Sequence, residues 1–164
     1  MVGTIRTFVT LVSAAALLGA GTAALADTKL APPKGYRQWF HVNTAIVTKD
    51  SPAFGAIGGM HNVSVNAIGL KALKSGANYP DKSVFVSDVH EFTLADGVYS
   101  EGARKALAVM IKDGRKYAAT GGWGFQAWLG GDPAKPLVTD AAKQCFGCHT
   151  TQKDHQFVFS TYLP

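Results

Sequence analysis

Cys145-Phe146-Gly147-Cys148-His149 lies close to the C-terminal end of a chain of 164 residues, and the reading of the whole chain starts from it. It holds both cysteines of the sequence and a histidine directly after the second. Two thiols three positions apart can add to the two vinyl groups along one edge of a porphyrin. The next residue then lies beneath the macrocycle, where an imidazole can bind iron. C-x-x-C-H is accordingly the spacing of covalent c-type haem attachment. It assigns Cys145 and Cys148 as thioethers and His149 as the axial ligand of one haem c. Other uses of the pair fit less well. Zinc needs two further ligands, and no second Cys/His cluster follows at finger spacing. A thioredoxin-like pair sits where a strand opens a helix within a βαβ unit, and no such unit precedes Cys145. A disulfide between cysteines this close stabilises little.

The N-terminus reads as an export signal. Arg6 charges a short leading region, residues 8–18 are apolar, and Ala24-Leu25-Ala26 is a small-x-small cleavage site. Residues 1–26 are read as a signal peptide cleaved after Ala26, and residues 27–164 as one haem domain expected in the periplasm. A retained anchor competes with this, because the uncharged stretch 7–26 is nearly long enough to span a bilayer. Its Ala, Gly, Ser and Thr content favours removal, after which no membrane contact is expected. The formal net charge is +5, but the lysines are scattered and form no run. A nucleic-acid surface is therefore not expected; a mild preference for acidic partners is. Eighteen glycines, several in Gly-Gly pairs, argue for many turns and against a helical bundle.

Along the chain, Pro32-Pro33 marks an extended leader and residues 36–40 a short helix, while residues 41–47 fit either a strand or a loop. A short strand is predicted over 61–65 with Val63 and Val65 on one face. Asn66 is positioned to cap a helix over 67–75 that Gly76 ends. Residues 83–92 are the clearest strand, rich in valine and aromatic residues. Asp96-Gly97 and Glu101-Gly102 punctuate a loop, and Asp113-Gly114 between 106–112 and 115–120 predicts a hairpin. A strand over 123–129 would place Trp123, Phe125 and Ala127 on one face. The haem-bearing helix is predicted over 137–148, and residues 157–162 as an edge strand or a packed coil. Strands, one mid-chain helix and a C-terminal attachment helix make an α+β domain: a small antiparallel β-sheet with a few helices. The common small electron-transfer cytochromes place a methionine ligand after C-x-x-C-H, and no methionine follows His149.

Gly35-Tyr36-Arg37-Gln38-Trp39, Tyr79-Pro80-Asp81, Met110-Ile111-Lys112-Asp113-Gly114, Gly121-Gly122-Trp123-Gly124-Phe125, the attachment motif and Phe157-Val158-Phe159-Ser160 follow one another in order. In that order they resemble the cytochrome P-460 / cytochrome c′-beta family across the mature chain. The resemblance implies one c-type haem bound by histidine on one side and open on the other, usually in a homodimer. It offers two activities. The P-460 branch oxidises hydroxylamine and links a lysine to the porphyrin. The c′-beta branch lacks that link and binds nitric oxide or carbon monoxide in an apolar, phenylalanine-lined distal pocket.

An ungapped comparison with the family puts Ser87 at the position of the cross-linking lysine, and a serine cannot make that link. If Ser87 faces the haem, strand alternation brings Phe85 and Val89 to the same face, and Phe54 offers a second ring from the preceding loop. An apolar site of this kind favours neutral gases over charged ligands. Phe85 is equally read as a core residue. His61 falls roughly where the hydroxylamine-oxidising branch has a polar distal residue, and is either a hydrogen-bonding pocket residue or a strand histidine on the outer face. His41, His90 and His155 carry no motif and are read as structural or solvated. The expected function is the binding of small diatomic gases, with a redox partner protein also possible. Oxidation of hydroxylamine or a related nitrogen compound is the alternative. A six-coordinate electron carrier using Met60, Met110 or His61 is the third reading.

Overall fold

Asp96-Gly97 has the sequence of a two-residue hairpin turn, and both residues adopt positive φ (52° and 79°), as such turns require. The turn joins β3 (Val84–Ala95) to β4 (Val98–Lys112), the two longest strands of a five-stranded sheet. The computed structural model describes residues 30–164, so the signal-peptide reading of residues 1–26 lies outside it. β1 (Phe40–Val47), β2 (Gly59–Val65) and β5 (Trp123–Leu129) complete the sheet. The strands lie in sequence order, each antiparallel to the next. A short helix α1 (Phe54–Ile57) joins β1 to β2, and α2 (Ala67–Ser75) joins β2 to β3. No helix among the described residues is long and apolar enough to cross a membrane.

α2 forms where its caps predict. The Asn66 side chain accepts a hydrogen bond from Gly69 N (2.9 Å), and Gly76 leaves the helix with φ 68°. Three boundaries differ from the sequence reading. Glu101-Gly102 lies within β4, because Glu101 pairs with Phe92; a side chain at Gly102 would press on the Glu91 carbonyl. Residues 115–120 do not return as the second arm of a hairpin. The Asp113 carboxylate accepts from Arg115 N (3.2 Å) and Lys116 N (2.9 Å), curling the chain into a 3-10 turn at Ala118–Thr120. The strand that pairs with β4 is β5. The third difference is the attachment helix, which starts at about residue 141 rather than 137. Val138 N donates to Gln126 Oε1 (3.1 Å) and Leu137 N to Ala127 O (2.8 Å), so this stretch runs extended along β5.

The sheet has two apolar faces. Val65, Phe85, Met110, Trp123 and Phe125 share one with Tyr79, Val138, Ala141 and Val158, and Cys145 and Phe146 pack against it. Val84, Val86, Leu107, Val109 and Trp128 form the other, covered by Leu30, Tyr36 and Trp39. β5 shows the alternation most plainly: Trp123 is 0% exposed on the first face and Trp128 1% on the second. The tail after residue 156 is a coil that packs on the first face. Gln156 and Phe157 take left-handed backbone (φ 56° and 68°), and Gln156 O accepts from Trp123 Nε1 (2.9 Å).

Candidate functional site

The attachment segment is a π-helical turn (Ala142–Phe146) that runs into α3 (Gly147–His149) and then a 3-10 stretch (Thr150–His155). Both cysteines are free thiols, Cys145 half-buried against the core and Cys148 exposed. Burial, with Cys148 beside it, pushes the Cys145 thiol up to about 11. A redox-active C-x-x-C pair works the other way, by lowering a thiol pKa to hold a thiolate. Among the described residues no three His, Cys, Asp or Glu side chains come together as a metal-ion cluster.

His149 is held by its ring nitrogen Nδ1, which lies 2.7 Å from Phe157 O. A carbonyl only accepts, so Nδ1 carries the proton and Nε2 keeps its lone pair, the arrangement of an imidazole prepared to bind a metal. Burial lowers the His149 pKa, and the Phe157 hydrogen bond opposes that shift. The ring is wedged between Phe125 (centroids 4.9 Å apart) and Phe159 (5.0 Å).

From Phe125 the site face of the sheet can be followed row by row. Phe125 pairs in register with Met110, Met110 with Phe85, and Phe85 with Val65, giving a buried row of large side chains. The next row along the same face is Val63, Ser87, Ala108 and Ala127, all half-buried. Ser87 is the only half-exposed residue in an otherwise buried run from Val84 to His90. The row beyond holds Ala45, His61, Val89, Ala106 and Leu129. Small side chains on three adjacent strands therefore form a trough in mid-sheet. The row that touches His149 bounds one side, and the row of His61 and Val89 bounds the other. Side chains two residues apart on a strand are about 7 Å apart, so the trough spans about 13 Å between its flanking rows.

A model of the cytochrome P-460 family matches residues 33–160. The chain belongs to the cytochrome P-460 family. No curated protein matches it. Membership makes this a haem cytochrome of the c type that binds iron. The residues of this cytochrome P-460 chain fit that group. They offer two free thiols at attachment spacing, an imidazole whose Nδ1 is tied to a carbonyl, and a trough of small side chains a flat ring can cover.

The other expected pocket residues fall as follows. His61 and Ser87 come together on this face, His61 Nδ1 lying 3.0 Å from Ser87 Oγ. The second His61 nitrogen, Nε2, is 2.6 Å from the carbonyl of Ile57 in α1. Val89 pairs with His61 and is buried. Phe85 is 4% exposed, in the row on the His149 side, edge-on to Tyr79 (5.4 Å) and Trp123 (6.1 Å). Phe54 begins α1, where its ring lies against Gly58 and under the Lys105 ammonium (5.9 Å), and it takes no part in the core around Phe85.

Two features of this P-460 chain had no sequence signal strong enough to find them. The Phe157 carbonyl that orients His149 depends on a left-handed turn at two non-glycine residues. Asp88 lies directly behind the trough, on the opposite face from Ser87. It accepts from Arg104 Nε at Oδ1 (2.6 Å), from Arg104 Nη2 at Oδ2 (2.9 Å) and from Tyr36 Oη at Oδ2 (2.6 Å). His90 Nε2 lies 3.0 Å from Oδ1, and His90 Nδ1 lies 3.1 Å from Glu101 Oε1. Burial opposes the Asp88 charge, yet the Arg104 and Tyr36 hydrogen bonds outweigh it, and the carboxyl lies below its ordinary pKa.

Proposed function

We propose that the chain is an exported mono-haem cytochrome whose haem is joined to Cys145 and Cys148, bound through His149, and open on the His61 side to small neutral molecules such as nitric oxide and carbon monoxide. When bound, the haem supplies an iron centre that can take such a ligand and exchange electrons. The chain's own residues fix the imidazole through Phe157 O, shape the trough, and keep its neighbourhood apolar. The observation that carries the reading is what faces His149 across the trough. Val89 and Ala106 are apolar, and both nitrogens of His61 are already hydrogen-bonded, to Ser87 Oγ and Ile57 O. An apolar wall of this kind gives an anion little to bond with.

The same contacts argue against a six-coordinate electron carrier. Met60 pairs with His90 and lies on the opposite face of the sheet, and Met110 is buried between Phe85 and Phe125. Oxidation of hydroxylamine or a related nitrogen compound is supported by one contact, the Ser87–His61 hydrogen bond. A homodimer draws support from the free end of the β3–β4 hairpin, which extends past β2 and leaves Leu94 (57%), Val98 (60%) and Tyr99 (47%) exposed.

Optical spectra and an intact mass of the purified holoprotein test this. The expected results are the mass of one haem added covalently, a five-coordinate ferrous spectrum, and binding of carbon monoxide and nitric oxide. Sharp low-spin ferrous bands would replace it with the electron-carrier reading. A ferrous Soret band shifted far to the red of its usual position would mean a lysine cross-link and remove the assignment of Ser87.

A further inference from the structure

We propose that Gln156 is a positioning residue for His149, setting through the Phe157 carbonyl how strongly the imidazole donates to a bound iron. The proposal rests on the reading above, in which His149 is the axial ligand. Gln156 immediately precedes the residue whose carbonyl takes the His149 Nδ1 proton (2.7 Å). Its half-buried side chain reaches across to the connection between α2 and β3. There Oε1 accepts from Tyr79 N (2.8 Å) and Nε2 donates to Ala77 O (3.1 Å). An amide N–H only donates and a carbonyl only accepts, so both ends of the glutamine are matched and its orientation is fixed. The Gln156 carbonyl in turn accepts from Trp123 Nε1 (2.9 Å). The two anchors brace each other, because Tyr79 and Trp123 are buried and meet edge-on with ring centroids 5.5 Å apart.

The turn needs such ties. Among the described residues, Gln156 and Phe157 are the only adjacent non-glycine residues that both hold positive φ (56° and 68°). Left-handed backbone is costly for a residue with a Cβ and persists where its surroundings impose it. Gln156 N donates to Lys153 O (3.0 Å) and Phe157 N to Gln152 O (2.7 Å), but these bonds stay within the turn itself. The Phe157 ring packs over Gly121 and against Phe146 (5.1 Å), and Gln156 supplies the polar ties to β5 and to the α2–β3 connection. The direction of the Phe157 carbonyl therefore depends on Gln156. A short, straight hydrogen bond at Nδ1 raises the electron density that Nε2 offers a metal, and a longer or bent one lowers it. Ferric iron carries more charge than ferrous iron and gains more from a strong donor, so slackening the turn favours the ferrous state.

The test compares wild-type, Gln156→Gly and Trp123→Phe holoproteins by resonance Raman spectra of the ferrous form and by redox titration. Gln156→Gly removes both side-chain bonds and keeps the left-handed backbone accessible. Trp123→Phe removes the bond to the Gln156 carbonyl and keeps an aromatic ring in the core. In both variants the iron–imidazole stretching band should move to lower frequency. The ferric–ferrous equilibrium should move about tenfold toward ferrous, the lower end for loss of an outer partner of a metal ligand, which is a rise of about 59 mV in potential. Unfolding cannot substitute for these readouts, because glycine relieves the left-handed backbone while it removes the bonds. An unmoved band and potential, a shift in the opposite direction, or a shift in Trp123→Phe alone overturns the role of Gln156 and leaves the ligation by His149 intact. A wild-type ferrous form with no iron–imidazole band overturns the reading on which the proposal rests.

Discussion

Asp88 ties the back of the site together at the scale of single residues. Its folded pKa is depressed, so its contribution is present above the ordinary carboxyl value and lost as pH falls through the folded one. Asp88→Asn leaves Arg104 half-paired and should cost about 3 kcal/mol at pH 7. The gap between wild type and variant should close below about pH 4, as denaturant unfolding at pH 7 and pH 3 will read. Phe85→Ala should cost about 3–5 kcal/mol by the same measurement, because the ring is core. Its effect on carbon monoxide affinity should stay within about threefold, since the ring is on the His149 side of the trough. The C-x-x-C-H spacing pointed to the haem that the family carries, because the chemistry it encodes is local. The Ser87–His61 and Asp88–Tyr36 contacts were not legible, since each joins residues from separate elements whose register must be known first.

Elements were legible where local signals agreed. α2 formed between the predicted caps, and Asn66 does more than cap it, accepting from Val84 N (3.1 Å) and donating to Lys82 O (2.8 Å). Asn66→Ala should therefore cost about 2 kcal/mol, the upper end for a cap, with less helix signal at intermediate denaturant by circular dichroism. The predicted return strand over 115–120 and the early start of the attachment helix failed for one shared reason. Side chains took backbone groups that secondary structure would otherwise use: Asp113 in the first case, Gln126 in the second. Such bonds depend on where a side chain points, and hydrophobic period carries no trace of that.

Across the whole molecule, the α+β class followed from counting strand signals before the motif. The site face needed the register of β3 with β4 and of β4 with β5, because only register brings Ser87, Ala108 and Ala127 side by side. The projecting hairpin is the feature that belongs to this scale. Leu94 and Tyr99 face each other across the hairpin and Tyr99 packs on Phe92 (5.7 Å), so Tyr99→Glu with Leu94→Glu sets two like charges in register and should lower stability by about 1 kcal/mol. In sedimentation velocity the pair should turn a dimer into a monomer; a monomeric wild type would remove the homodimer proposal.

The strict sequential order of the strands also has a consequence for the order of assembly. Each of the four pairings joins neighbours in the chain, so the sheet can grow by adding one strand at a time, with no connection longer than residues 66–83 to close. Residues 40–129 contain all five strands, and the cysteines come after them. A chain synthesised N-terminus first can lay down the trough before Cys145 emerges, so under the proposed attachment the prosthetic group would meet a seat already made, with the residues after 129 closing on it.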